Sequence, residues 1–143
     1  MKIRITKVRA DVELPVYKTE GSVAFDLATA EALTVPAHGT MIAPTGLIIA
    51  TPPGHALLLA GRSSLFKNKG LRIGNQLGVI DQDYCGPEDE LLIFLWNPTD
   101  KDVTVEKGER LAQGFLVQIS KAEWDEGPAD TKSRGGWGST GTR

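Results

Sequence analysis

Residues 40–61, TMIAPTGLIIATPPGHALLLAG, decide the fold class of this chain. They contain three short apolar runs, which two clusters of proline and glycine separate from one another. The runs are Thr40–Ala43, Gly46–Ala50 and Ala56–Ala60, and the clusters are Pro44-Thr45-Gly46 and Pro52-Pro53-Gly54. Apolar runs of this length between turn signals are typical of strands in all-β proteins. The stretch therefore predicts a succession of short strands joined by tight turns.

The same pattern continues on both sides of this stretch. Further strands are predicted around Ile3–Val8 and over Glu90–Trp96, Asp102–Val105 and Arg110–Ile119. The one helical candidate, Ser63–Lys69, begins at a serine of the type that caps helix N-termini. Many short strands at even spacing predict an all-β fold, a jelly-roll-like β-barrel.

The composition changes after Ile119. The chain has 143 residues, which fits one compact domain, so we expect a β-barrel domain over 1–120 and a flexible C-terminal arm over 121–143. The arm is rich in glycine, and composition alone favours a frayed tail. Trp137, which is flanked by glycines, instead favours a flap that closes over a flat ligand at the active site.

The charge balance limits the possible partners. A net charge of −2 is not the basic footprint of a protein that binds a nucleic-acid polymer. No apolar run approaches the roughly 18 residues of a membrane span, and the first residues lack the apolar centre of a signal peptide. The single cysteine, Cys85, excludes an internal disulfide and agrees with a reducing compartment. We expect a cytoplasmic protein with no membrane partner that binds a small nucleotide with the help of a cation.

Two polar stretches could carry chemistry. In the first, Gly61–Leu65, Arg62 stands beside two serines at a predicted strand-to-helix junction, where a guanidinium and free N–H groups could bind phosphate. A capping serine with a surface arginine explains it equally well. In the second, Gly78–Gly86, Asp81 and Asp83 are spaced to share one side of an extended segment, and Asp81 could accept a proton from water. A simple turn is the alternative for this second stretch.

Three further features complete the local analysis. Asp26 lies among apolar residues, where a carboxylate needs a partner or a cation. The Gly136–Gly141 segment matches a dinucleotide-binding pattern but lacks the following helix. Nothing in the sequence brings Cys85 together with His38 or His55, so a cysteine nucleophile is not supported.

The order of these stretches resembles that of the trimeric dUTPase family over nearly the whole chain. All five motifs of that family are present in sequence: Ala24–Leu27, Gly61–Leu65, Gly78–Gly86, Gly108–Gln113 and Gly135–Gly141. The resemblance implies a homotrimer whose active sites are each built from more than one chain. It also implies hydrolysis of dUTP to dUMP and pyrophosphate with Mg²⁺, which limits uracil incorporation into DNA and supplies dUMP for dTMP synthesis.

The resemblance also implies roles for individual residues. Asp81 would activate the water that attacks the α-phosphate, and Gln113 would assist by holding phosphate oxygens. Asp26 would contact Mg²⁺ through water or order its neighbourhood, and Tyr84 would pack under the deoxyribose. The remaining residues implied to bind substrate are Arg62, Ser63 and Ser64 for phosphate, Asn75, Gly78, Val79 and Ile80 for uracil, and Lys132, Arg134, Trp137, Gly138, Ser139 and Thr140 in the arm.

Some positions depart from the family pattern. Ala24 and Phe25 replace the usual Gly and Tyr, and Trp137 replaces the usual Phe. Pro87-Glu88-Asp89 lengthens the third motif's hairpin. The arm's phosphate-binding arginine has two candidate positions, Lys132 and Arg134, and the sequence does not choose between them.

Two other functions are compatible with the fold class. A dCTP deaminase shares the fold but uses a glutamate three residues before the strand-ending asparagine, and here that residue is Phe94. A non-enzymatic relative is expected to lose Asp81 or the arm, and this chain has both.

Overall fold

Short strands dominate the chain. The computed structural model describes residues 1–129, 132–133 and 135–136, and within them it forms eleven strands and one helix. The elements are β1 (Ile5–Lys7), β2 (Phe25–Ala28), β3 (Leu33–Val35), β4 (Thr40–Pro44), β5 (Leu47–Ile49), β6 (His55–Gly61), α1 (Ser63–Lys69), β7 (Arg72–Ile73), β8 (Leu77–Ile80), β9 (Leu92–Trp96), β10 (Val103–Val105) and β11 (Arg110–Gln118). The predicted all-β class is confirmed.

The strands pair as four antiparallel sheets rather than one continuous ring. Two are pairs, β1 with β5 and β3 with β10. The other two follow the orders β4-β9-β7 and β2-β11-β6-β8. In the four-stranded sheet one row of paired residues runs from Asp26 through Gln113 and Ala60 to Leu77. This sheet positions most of the candidate site residues.

Buried and less buried residues alternate along the strands, and the buried side chains form the core. In β6, Leu57 and Leu59 are buried, and in β9, Ile93 and Leu95 are buried. They pack with apolar residues from the other sheets into one cluster. Burying each such side chain contributes roughly 1.5–3 kcal/mol. The alternating side chains of β6 and β9 therefore hold the sheets together.

Several predicted elements differ in detail from the structure. The helix Ser63–Lys69 is confirmed, but Arg62, not a serine, occupies its N-cap position and makes no side-chain capping bond. The run Glu90–Trp96 contributes only Leu92–Trp96 to a strand, because Glu90 and Leu91 bond the turn between β4 and β5. The predicted run Ala56–Ala60 is one residue too short at each end, because β6 begins at His55 and ends at Gly61.

The described part of the arm differs from the barrel in its exposure. Residues 121–129 are exposed and have no regular secondary structure, and Trp124 is 94% exposed. The division at residue 120 and the closure of the arm stay predictions. In the described residues no helix is long and apolar enough to cross a bilayer.

Candidate functional site

A carboxylate held between two guanidinium groups forms the first part of the site. Nε of Arg62 donates to Oδ1 of Asp26 at 2.8 Å, and Nη1 of Arg110 donates to Oδ2 at 2.9 Å. Asp26 lies on β2 and Arg110 begins β11, which pairs with β2. The Asp26 side chain is only 15% exposed. The expectation that this carboxylate needs a partner is confirmed, and both of its oxygens are used.

Arg110 is a site residue that the sequence analysis missed. The fourth motif shows it only as one half of a local charge pair with Glu109. Its bond to Asp26 spans 84 positions in the sequence, so it depends on the pairing of β11 with β2. Glu109 instead forms an ion pair with Lys69 of the helix at 3.0 Å.

A cavity of about 310 Å³ lies beside this group. Its lining includes Arg62, Arg110 and Lys69, together with Ser64 at the start of the helix. Ser63 is exposed, and Ser64 is half-buried. The lining also includes the carboxylate of Glu109, which pairs with Lys69. The guanidinium groups of Arg62 and Arg110 and the hydroxyl of Ser64 are donors that the cavity offers to an anion such as phosphate.

The strand β8, together with the short turn that joins it to β7, forms the second part of the site. β8 is the edge strand of its sheet, so one row of its backbone N–H and C=O groups is free to bond a planar ligand edge. Gly78 is buried on this strand, and a Cβ there would lie 3.2 Å from the Cβ of Leu59. Asn75 and Val79 are exposed beside it. A side chain at Gly78 would therefore be tightly packed against β6, and Leu59 would have to shift by a few tenths of an ångström.

Asp81 and Tyr84 follow directly after β8. Asp81 is exposed and lines a cavity of about 340 Å³ together with Asp83, His55 and Lys121. The hydroxyl of Tyr84 donates to the backbone carbonyl of Glu90 at 3.0 Å. The two aspartates therefore share one cavity, but Gln82 and Asp83 form a turn, so the extended segment expected from their spacing is wrong. His55 and Lys121 were not singled out for this site, because only the fold brings them to Asp81.

The two parts of the site lie at opposite ends of the four-stranded sheet. Leu77 shares a row with Gln113, two strand spacings or about 10 Å away. Asp81 lies four residues beyond Leu77, about 13 Å further along the strand direction. Arg62 comes after the last residue of β6, and because β6 and β8 are antiparallel it lies in the opposite direction from Leu77. One chain thus brings together Asp26, Arg62, Ser64 and Gln113, but it does not bring them to Asp81 and Tyr84.

Most of the predicted arm residues lie outside the described residues. They are Arg134, Trp137, Gly138, Ser139 and Thr140. Lys132 is described and is exposed. Within the described ranges no group of three or more His, Cys, Asp or Glu side chains could hold a metal ion.

An all-β chain in which one cavity presents two arginines and a serine, and an aspartate follows a free strand edge, has the groups that a nucleotide-binding protein needs. Comparison with known proteins narrows this class. The dUTPase family model matches residues 10–141. The chain is 38% identical over 144 residues to a deoxyuridine 5'-triphosphate nucleotidohydrolase of Helicobacter pylori (strain P12), covering 99% of this chain and 97% of the relative. The chain belongs to the dUTPase family, and the family and enzyme class predicted from its five motifs are confirmed.

Solved structures confirm the fold. The dUTPase of Staphylococcus bacteriophage 80alpha with dUPNHPP aligns with a TM-score of 0.88 at 21% identity, covering 99% of both chains. A mutant dUTPase from phage phi11 of S. aureus, whose structure details the coordination of a structural Mg(II) ion, aligns with a TM-score of 0.82 at 18% identity. That alignment covers 91% of this chain and 99% of the phage chain. The jelly-roll-like prediction agrees with both.

Proposed function

We propose that this protein hydrolyses dUTP to dUMP and pyrophosphate. The family match over residues 10–141 carries the proposal, because it spans the Arg62 group, the β8 edge strand and Asp81. In the cell this reaction would limit uracil incorporation into DNA and supply dUMP for dTMP synthesis. We expect it to take place in the cytoplasm.

Base recognition is assigned to β8, the strand before Asp81. Its free edge runs along Gly78, Val79 and Ile80 and offers the backbone donors and acceptors of alternate residues to the uracil edge, and Asn75 adds an amide. Cytosine presents a donor where uracil presents an acceptor, so it would leave buried polar groups unpaired. Tyr84 packs under the deoxyribose and leaves no room for a 2′-hydroxyl.

Asp81 activates water in this mechanism. Its carboxylate accepts a proton from water as the water oxygen attacks the α-phosphorus. The bond from the α-phosphorus to the oxygen bridging the β-phosphate breaks, and pyrophosphate leaves. Arg62, Ser63, Ser64 and Gln113 donate to the phosphate oxygens and offset the charge that develops there. In the arm, Lys132 or Arg134 offsets charge on the γ-phosphate, while Trp137 to Thr140 cover the nucleotide.

Magnesium fits this site only as an ion carried by the nucleotide. Mg²⁺ keeps several waters and commonly binds through one or two carboxylates and substrate phosphates. Both oxygens of Asp26 are already bonded to guanidinium groups, so Asp26 can meet the ion through its water shell but is not a free direct ligand. The bound ion would neutralise phosphate charge.

A homotrimer would complete the site. The two parts of the site lie too far apart within one chain to act on the same phosphate, so another copy has to supply one of them. The outer face of β4 and β9, formed by Ile42, Leu92, Phe94 and Trp96, is exposed and apolar. Antiparallel sheets normally have a polar outer face, so this one is suited to burial against another chain.

A deaminase is not favoured. Phe94, which occupies the position of the deaminase glutamate, cannot transfer a proton and belongs to the outer apolar face. The test measures pyrophosphate released from dUTP, with dCTP as the control, first with Mg²⁺ and then with a chelator. We expect release from dUTP only, and only with Mg²⁺. Ammonia release from dCTP would support the deaminase, and no reaction with either nucleotide would support a non-enzymatic relative.

A further inference from the structure

The loop that follows Tyr84 is closed by its own hydrogen bonds. The hydroxyl of Tyr84 donates to the backbone carbonyl of Glu90 at 3.0 Å, across six positions. Within this loop the N–H of Gly86 donates to Oδ2 of Asp89 at 2.6 Å, and the N–H of Asp89 donates to the carbonyl of Gly86 at 3.2 Å. The extra residues Pro87-Glu88-Asp89 thus form a closed turn, which brings Glu90 back to the Tyr84 ring.

Glu90 is itself tied to the barrel. Its carboxylate Oε1 accepts from the backbone N–H of Gly46, in the turn between β4 and β5. The next residue, Leu91, donates to the carbonyl of Leu47 at 2.8 Å and accepts from the N–H of Thr45 at 3.1 Å. Gly46 has a φ of 72° and no space for a Cβ, which would lie 2.6 Å from a methyl of Val12. The turn is therefore held firmly, and Glu90 with it.

We propose that Glu90 is a positioning residue for Tyr84 and thereby contributes to the selection of deoxyribose over ribose. The inference rests on the proposed function, in which Tyr84 packs under the sugar. A tyrosine that turns about its side-chain bonds would open space for a 2′-hydroxyl. The bond from its hydroxyl to the Glu90 carbonyl fixes the far end of the ring, and the Glu90 carboxylate fixes that carbonyl to the barrel. The selection of the sugar then depends on a side chain that does not touch it.

Four variants test this chain of contacts. Glu90→Ala removes the acceptor for Gly46, whereas Glu90→Gln keeps an acceptor oxygen at the same place. Tyr84→Phe keeps the ring and removes its hydroxyl. Glu88→Ala removes a neighbouring exposed charge for which no contact is seen in the described residues and serves as the matched control. The measured quantity is the ratio of kcat/KM for dUTP to kcat/KM for UTP, with thermal unfolding recorded for each variant.

We expect the ratio of kcat/KM for dUTP to kcat/KM for UTP to fall about three- to tenfold in Glu90→Ala and in Tyr84→Phe, because each variant loses one hydrogen bond. Because the two changes break successive hydrogen bonds that together hold the same Tyr84 ring, the double variant should fall no further than either single variant. Glu90→Gln and Glu88→Ala should keep the ratio of the unaltered protein. If Glu90→Ala fails to fold, Tyr84→Phe and Glu90→Gln still decide the matter.

Two outcomes would overturn the inference and leave the proposed function intact. One is an unchanged ratio in a folded Glu90→Ala or in Tyr84→Phe, in a protein that still prefers dUTP. The other is an equal fall of the ratio in Glu90→Gln and Glu90→Ala, because this would separate the effect from the Gly46 bond. Failure of the unaltered protein to hydrolyse dUTP would instead refute the proposed function itself.

Discussion

Replacing Asp26 by asparagine should weaken both the fold and phosphate binding. The carboxylate accepts charge-assisted bonds from Arg62 at 2.8 Å and from Arg110 at 2.9 Å. A hydrogen bond to a charged group contributes about 1.5–3 kcal/mol when it is shielded from solvent. The Arg62 side chain is 26% exposed and fits this range, but Arg110 is 43% exposed, so its bond is worth about 1 kcal/mol or less. We expect a total loss of about 1.5–4 kcal/mol.

The assay combines unfolding with steady-state kinetics. Urea unfolding of Asp26→Asn is compared at a fixed protein concentration with Asp100→Asn, whose carboxylate is 94% exposed and contacts only His38 among the described residues. The control should lose less than about 0.5 kcal/mol. Since the displaced Arg62 would no longer aim at phosphate, KM for dUTP should also rise, by about tenfold for 1.4 kcal/mol of lost binding.

The same experiment separates the two roles considered for Asp26. If Asp26 acts by ordering the arginines, stability falls and the Mg²⁺ concentration needed for half-maximal activity changes little. If it acts mainly through the water shell of Mg²⁺, that concentration rises while stability is nearly unaffected. Equal unfolding free energies and equal KM values for Asp26→Asn and Asp100→Asn would refute the ion-pair reasoning.

Four further predictions concern the reaction and its assembly. Asp81→Asn should lower kcat by about 10²–10⁴ while dUTP affinity stays within severalfold; lost binding with preserved turnover would contradict its role as base. The ratio of kcat/KM for dUTP to kcat/KM for dCTP should reach about 10⁴, and comparable rates with the two nucleotides would contradict the recognition of uracil by β8. Phe94→Glu should dissociate the trimer in sedimentation and abolish activity, whereas Val23→Glu, at an exposed site elsewhere, should do neither. An arm truncated after Gly127 should leave folding and trimers intact but slow hydrolysis strongly, and full turnover would favour a frayed tail.

Local sequence was sufficient to predict the elements whose borders are set by their own residues. The apolar runs of residues 40–61 became β4, β5 and β6 because proline and glycine clusters end each run. The helix Ser63–Lys69 was likewise predicted from local sequence. By contrast, β7 and β8 were not predicted, because they are two and four residues long and only one of their six residues is buried. Their strand conformation depends on pairing with β9 and β6, which no local pattern encodes.

The site shows the same division between local and long-range information. The Arg62 and Asp81 stretches could be identified from residue types, because phosphate binding and proton transfer each require particular groups. The link between Asp26 and Arg110 could not, because it is created by the register of β11 against β2. The contact between Tyr84 and Glu90 likewise depends on the path of the inserted turn.

The apolar outer face of β9 and the division of the site into two parts both favour the packing of a second copy of the chain against β9. A strand with apolar residues on both faces, as in Leu91 to Trp96, is stable in water only if both faces are covered, and its own barrel covers one. The turn between β7 and β8 adjoins that uncovered face, since the N–H of Gly74 donates to the carbonyl of Phe94 at 2.8 Å. A second copy packed there would therefore lie next to the turn that leads into β8, the strand assigned to uracil. From that position the second copy could present its own Arg62 group to the phosphates of the same nucleotide. The contact that buries the apolar face would then also complete the site.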